Sequence, residues 1–326
     1  MATAFSPANA TTVTTAATFI PEIWSDEIVA AYKKNLVLAN LVKRMNFKGK
    51  KGDTVHIPAP TRGSASAKTA TNAVTLIVNT ESEVQVSIDK HYEYSRLIED
   101  IVEVQALSSL RSFYTEDAGY SLAKQIDTDL VRLGRSFNGA TVGTNDYATS
   151  NTSTKAYIGS DGTTAYNSTT SNAAALTDAA IRRTIQRLDD NDTPMDGRFF
   201  IIPPSSRNTL MGLARYTEQA FIGEAGANNT IRNGEIGNLY GIPVFVTSNA
   251  DYGAGNSGAD RICLMGHRDS MVLVEQMGIR SQTQYKQEYL ANLMTADTIY
   301  GVKAMRTAAT TGAATSSSAF ALAVPA

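Results

Sequence analysis

Apolar positions along this chain follow two periods, one near 3.6 residues and one of two, and the places where they change divide it into segments. From Pro21 to about Val42, Trp24, Ile28, Tyr32 and Leu36 recur at i, i+4 and predict a helix. Pro21 is tolerated in a first turn, and Ser25, Asp26 and Glu27 place capping and acidic groups near the start. Lys43 and Arg44 follow, where cations suit the C-terminal end of the dipole. From about Glu99 to Phe137 the helical signal is strongest. Leu107, Leu110, Tyr114, Leu122, Ile126, Leu130, Leu133 and Phe137 keep the three-four spacing, with a gap at Ala118. A continuous helix of that length is roughly 50–60 Å long. Gly119 costs it about 1 kcal/mol relative to alanine and marks a bend. A third helix is predicted over Leu176–Asp190, with Thr177 as N-cap, Ile181, Ile185 and Leu188 as its buried stripe, and Arg182, Arg183 and Arg187 off that stripe.

The period of two marks strands. Val55 and Ile57 share one face of a short strand after Gly49 and Gly52. The run Val74–Val78 is rich in β-branched residues, and Val84, Val86 and Ile88 alternate with polar ones. With the Gly/Ser/Ala-rich stretch between them, residues 46–90 read as a long hairpin. Such a hairpin has little core of its own and is marginal when isolated, so it is expected to lie on another surface. Further strands are predicted at Arg198–Ile202, ended by Pro203-Pro204 and a short helix capped by Ser205 that carries Leu210 and Leu213. Others follow at Ile242–Ser248, Arg261–Met265, Met271–Val274, Gly278–Tyr289 and Thr298–Arg306. Helix and strand alternate in the middle with β elements on both flanks, an α+β pattern.

Three stretches fit neither period. Residues 1–20 and 307–326 are uncharged and small-residue-rich, and are expected to be ordered only by something outside their own domain. Residues 138–175 are polar and low in complexity, and read as an exposed loop or weakly determined hairpins. The start of the chain lacks the basic and apolar regions of a secretory leader, and no apolar run is long enough to span a bilayer.

Composition narrows the function classes. The chain has 326 residues, 43% hydrophobic and 18% charged, which suits two compact domains, or one domain with large extensions, around a packed core. A net charge of −2 argues against a protein that grips nucleic acid through many phosphates. The single cysteine, Cys263, excludes an internal disulfide and fits a reducing compartment.

Candidate chemistry is sparse. Gly253, Gly255 and Gly258 match G-x-G-x-x-G, but a strand rather than a helix is predicted after them, so a surface turn is expected and not a dinucleotide site. Gly49-Lys50-Lys51-Gly52 fails the spacing of a phosphate loop. With Lys43, Arg44 and Lys48 it makes a basic patch that suits an acidic neighbour, a nucleic acid or plain solvent. His56, His91 and His267 have no metal-ligand spacing. Cys263 lies in an apolar run and reads as a small buried hydrophobe. Asp189, Asp190 and Asp192 lack the twelve-residue calcium-loop pattern. No catalytic residue, cofactor or metal is expected, and assembly is the better reading.

Several segments resemble tailed-phage major capsid proteins of the podovirus- and cyanophage-like kind. They are FIPEIWSDEIVAAYKKNLVLANLVKR, RFFIIPPSSRNTLM, GNLYGIPVFVTSNA, DRICLMGHRDSMVLVEQ and TADTIYGVKAMR, in order over residues 19–306. The resemblance implies the Hong Kong 97-type capsid fold, an α+β fold. Residues 1–45 would be N-arm and first helix, 46–98 an extended hairpin loop, and 99–175 a peripheral domain with spine helix and polar insert. Residues 176–265 would be the axial domain, 266–306 return strands of the peripheral domain, and 307–326 a C-terminal tail. It further implies self-assembly into pentamers and hexamers of an icosahedral shell around double-stranded DNA, made in the host bacterial cytoplasm. Scaffolding, portal and decoration proteins would be partners, contact with packaged DNA would be weak and non-specific, and no membrane would be involved. Expected intersubunit contacts are Trp24, Lys48, Lys50, Lys51, Arg62 and Lys68. Some relatives crosslink a loop lysine to a neighbour, but nothing identifies a partner for Lys68, and no crosslink is expected. The alternatives are an encapsulin-like nanocompartment shell, a phage fibre or surface protein, and an enzyme with an unusual site.

Overall fold

In the computed structural model, which describes residues 36–49, 51–60, 65–70, 73–74, 76, 81–105, 110–135, 156–166, 172–213, 237–250, 252–253, 260–305 and 318–326, two sheets share one long helix. The first part of the chain supplies a short helix α1 (Leu38–Leu41), strand β1 (Lys43–Asn46), hairpin strands β2 (Thr54–Pro60) and β3 (Glu81–Ser87), strand β4 (Lys90–Glu99), and helices α2 (Asp100–Gln105) and α3 (Leu110–Arg135). The middle supplies β5 (Tyr157–Ile158), α4 (Asp178–Asp190), β6 (Arg198–Ile202), α5 (Pro204–Met211), β7 (Asn238–Leu239), β8 (Ile242–Val246), β9 (Tyr252–Gly253) and β10 (Asp260–His267). Two long strands, β11 (Met271–Lys286) and β12 (Ala291–Ala304), follow, and then β13 (Ala319–Pro325).

The first sheet has the order β1-β11-β12-β4. Its alternation buries both faces near one end. Met271 and Leu273 of β11 join Leu130 and Leu133 of α3, while Val272 and Val274 point the other way, to Val55 and Val86 of the β2–β3 hairpin. The hairpin thus rests its base on the sheet. Further along β12, Met294 and Ala296 pack on Ala118 and Leu122 of α3. Ala118, the gap in the helical pattern, is a close-approach position and only 1% exposed.

The second sheet has the order β5-β13-β10-β6-β8-β7, with β9 pairing β10. Phe200, Ile202, Cys263, Met265, Phe320 and Leu322 face the stripe of α4 (Ile181, Leu188) and Leu210 of α5. Phe199, Ile201 and Leu264 face Leu130 and Val131 of α3 instead. The C-terminal half of α3 therefore lies in a core common to both sheets. Thr177 caps α4 by accepting from the Ala180 N–H, as its position predicts. Tyr240 and Gly241, at φ 51° and 80°, close β7 onto β8 with the left-handed pair that a two-residue hairpin turn requires.

The structure departs from the sequence reading in several places. Residues 21–35, and Trp24 with them, lie outside the described residues, and past α1 Lys43 and Arg44 form strand β1 rather than a helix end. The backbone of β1 takes the edge of β11 in parallel, and Arg44 pairs with Glu275. A helix starts at Asp100, as expected, but β4 runs to Glu99 and completes the first sheet, inside the stretch read as hairpin loop, and residues 106–109, between α2 and α3, lie outside the described residues. Val74 and Leu76 are exposed and outside any strand, and the remainder of the Val74–Val78 run is not among the described residues. Tyr157 and Ile158, within the supposed polar insert of the peripheral domain, pair with β13 in the second sheet, and Tyr166 is buried beside them.

The largest correction concerns the expected C-terminal tail. Ala319–Pro325 is an interior strand of the second sheet, paired with β10 from Asp260↔Pro325 to Gly266↔Ala319 and with β5 on its other side. Phe320, Leu322 and Val324 fill the face toward α4, and Ala319, Ala321 and Ala323 allow close packing on the other. Its own chain orders it, not a neighbour.

Candidate assembly surfaces

Among the described residues, those that carry chemistry do not converge on a catalytic cluster. Cys263 is fully buried on β10, with its sulfur 3.4 Å from the Ser206 hydroxyl. Burial pushes its thiol up to about 12, so it is no nucleophile at neutral pH. The three histidines are each held separately. His56 meets Glu83 at 2.9 Å, and His91 meets Asp297 at 3.2 Å. His267 accepts the Asp269 N–H on Nδ1 and donates from Nε2 to the Asp196 carbonyl, which leaves neither nitrogen for a metal. Among the described residues, no group of three or more His, Cys, Asp or Glu side chains could hold a metal ion. No described helix is long and apolar enough to cross a membrane.

The buried polar groups pin elements together. Asp127 on α3 accepts from the Leu38 N–H at 2.8 Å, the Ala39 N–H at 3.2 Å and the Asn249 amide at 2.9 Å. It joins α1, the spine of the molecule and the turn after β8. Burial raises its pKa above the ordinary carboxylate value, partly offset by these hydrogen bonds. Two residues on, Asp129 accepts from the Tyr300 hydroxyl at 2.8 Å and lies 3.3 Å from Lys90, tying α3 to β12 and β4. Arg187, off the buried stripe of α4, lays its guanidinium 3.5 Å from the centre of the Tyr157 ring. None of these links is visible in sequence, since each joins residues remote along the chain.

The surfaces suited to a partner lie at the periphery. Of the expected contacts, Lys48 and Lys51 are exposed beside the turn that leads into β2, and Lys68 is exposed between β2 and β3. Lys48 reaches over Gly278 of β11, and Lys68 donates to the Thr69 carbonyl at 3.3 Å. Trp24, Lys50 and Arg62 lie outside the described residues. A surface that the sequence does not announce sits where the β11–β12 hairpin tip meets the β4–α2 junction. There Tyr289 (64% exposed), Leu290 (67%) and Ile101 (60%) cluster with Leu97 and Val102, tied by the Asp100 N–H to the Leu290 carbonyl and by Tyr285 to Asp100. Leu290 has φ 46°, a left-handed conformation that costs a leucine roughly 1–2 kcal/mol.

Comparison with known proteins places this architecture. No protein-family model and no curated protein sequence matches the chain. Solved structures do. The capsid of cyanophage P-SCSP1u superposes with a TM-score of 0.72 at 18% identity, over 98% of this chain and 96% of that one. A structure from Mycobacterium phage Che8 gives 0.70 at 22% identity, over 93% and 97%. The capsid of Ralstonia phage GP4 gives 0.65 at 15%, over 100% and 98%. The chain has the tailed-phage capsid fold. The α+β architecture expected from the sequence is thus found.

Proposed function

We propose that this chain is the structural subunit of a phage capsid, assembling with copies of itself into a closed shell around double-stranded DNA. The observation that carries the reading is the extent of the fold match, which spans nearly the whole of this chain and of the two capsid chains compared with it. A shared core alone would leave long flanks unmatched. In this reading the first sheet with α3 is the peripheral part and the second sheet with α4 and α5 the axial part, the latter including 156–166 and β13. Rings of five and six copies are closed heterologous assemblies. The hairpin, the exposed tip cluster and the basic turn at Lys48 and Lys51 are the surfaces that such rings would bury. The role is structural rather than catalytic, the site of action is the virion shell, assembly belongs to the host cytoplasm, and portal, scaffolding and decoration proteins are the natural further partners.

Electron microscopy of the purified full chain across a concentration series, with and without a crowding agent, tests this. Closed shells, or rings of five and six, are the expected result. A particle that stays monomeric or dimeric at every concentration counts against it.

A further inference from the structure

Asp161-Gly162 and Asp196-Gly197 are the Asp–Gly pairs among the described residues, and the fold treats them differently. In such a pair the glycine nitrogen can attack the aspartate carboxyl carbon, because glycine has no Cβ to shield the approach. At Asp161 both reacting groups are engaged. Its carboxylate accepts from the Thr163 N–H at 2.8 Å, the Thr164 N–H at 3.0 Å and the Thr164 hydroxyl at 2.6 Å, and the Gly162 N–H donates to the Ile158 carbonyl at 3.0 Å. The hydrogen bonds, that of the Thr164 hydroxyl first, hold the Asp161 carboxyl below its ordinary pKa, in the ionised form that resists attack. At Asp196 both reacting groups are open. Among the described residues nothing bonds to its carboxylate or to the Gly197 N–H, and the pair is exposed in the turn before β6. The carbonyl between the two residues is held instead: His267 donates to it from Nε2 at 2.8 Å. That oxygen takes up negative charge when the Gly197 nitrogen loses its proton, so a donor aimed at it favours the nucleophile. The pair borders an open cleft with Lys43, Arg268 and Asp269, which water can enter.

We propose that Asp196-Gly197 is a site of covalent ageing, at which Asp196 is converted to isoaspartate with the assistance of His267. The Gly197 nitrogen bonds to Asp196 Cγ, its proton leaves with the carboxyl OH as water, and a succinimide closes. Water then opens the ring at either carbonyl, and opening at the main-chain carbonyl carbon leaves the backbone running through the former side chain. The two steps release and consume one water, so no other reactant is needed and the mass is unchanged. Isoaspartate lengthens the main chain by one methylene in a turn whose Gly197 carbonyl accepts the Arg268 N–H at 3.0 Å, where the chain leaves β10 of the second sheet for β11 of the first. The product therefore loosens the joint between the two sheets. The proposal goes beyond the capsid reading and does not depend on it.

Peptide mass spectrometry of the full chain, kept warm at neutral pH for weeks and labelled with an isoaspartyl methyltransferase, tests the assignment. In the folded chain isoaspartate should accumulate at Asp196 roughly tenfold faster than at Asp161, the factor that one or two net hydrogen bonds supply. In urea, where the hydrogen bonds are gone, the two should convert at similar rates. Asp196→Glu should remove the product, since glutamate would have to close a larger ring. His267→Gln, which keeps a donor, should convert several-fold faster than His267→Leu. Deamidation at Asn138-Gly139 or Asn233-Gly234, outside the described residues, raises the mass and is told apart by it. The deciding comparison uses the unaltered chain and needs no variant to fold. Equal rates at the two aspartates in the folded chain, or no isoaspartate at Asp196 there while urea converts both, overturns the proposal. Equal rates in the two His267 variants overturn the part given to His267.

Discussion

At the residue scale, two buried or half-buried aspartates respond to acid in opposite ways. Asp297 is held below the ordinary carboxylate range, chiefly by its hydrogen bond from Arg280 and further by His91. Its contribution is present above the unfolded pKa and is lost as the pH falls through the lowered folded value. Asp127 is raised by burial, so the folded state holds its proton more tightly than the unfolded one. Its contribution is greatest below the unfolded pKa and declines as pH rises through the folded value. The variant Asp297→Asn should therefore lose less stability than the parent when the pH is lowered from neutral to acid, measured by thermal unfolding. Asp127→Ala should cost about 3 kcal/mol in urea unfolding, because it strands the Leu38 and Ala39 N–H groups and the Asn249 amide in the core. A loss below about 1 kcal/mol would mean that water replaces the carboxylate.

At the element scale, the elements legible in the sequence are those whose pattern is local. β6 spans the predicted Arg198–Ile202, and α4 carries its predicted cap and stripe. β13 escapes such a reading although its signal is plain: Ala319, Ala321 and Ala323 alternate with Phe320, Leu322 and Val324. Both faces are buried, so small and large apolar residues replace the polar-apolar alternation that marks a half-exposed strand. β1 and β4 escape for another reason, since each is defined by a remote partner strand and not by its own composition. The assembly surfaces are partly legible: the lysines beside the hairpin stand out as charge, whereas the tip cluster needs two distant segments brought together. Packing between elements also sets a sharp test. A side chain at Gly301 of β12 would overlap the Ser87 carbonyl oxygen at the end of β3, and that obstacle is backbone. Gly301→Ala should cost about 1–3 kcal/mol and loosen the hairpin base, seen as faster proteolysis between Thr54 and Ser87.

At the scale of the whole molecule, the two sheets are joined through α3 and the peripheral features project from that frame. The tip cluster gathers Tyr289, Leu290, Ile101, Leu97 and Val102 in the open, and its strained Leu290 separates folding from assembly. Leu290→Gly should leave the urea midpoint of the subunit unchanged or slightly higher, since glycine adopts the left-handed backbone without strain. The same variant should raise the concentration at which shells appear by light scattering. A lowered midpoint with unaltered assembly would show the leucine to be a folding residue instead.

The pairing of remote strands has a kinetic consequence. β1 waits for β11, β4 for β12 and β5 for β13, so much of each sheet closes large loops before any hydrogen bond rewards the closure. The β11–β12 hairpin, joined by a short turn, can form early. A chain of such high contact order folds slowly, leaving β-edges unpaired for much of the journey, and its yield on refolding should fall steeply as the protein concentration rises.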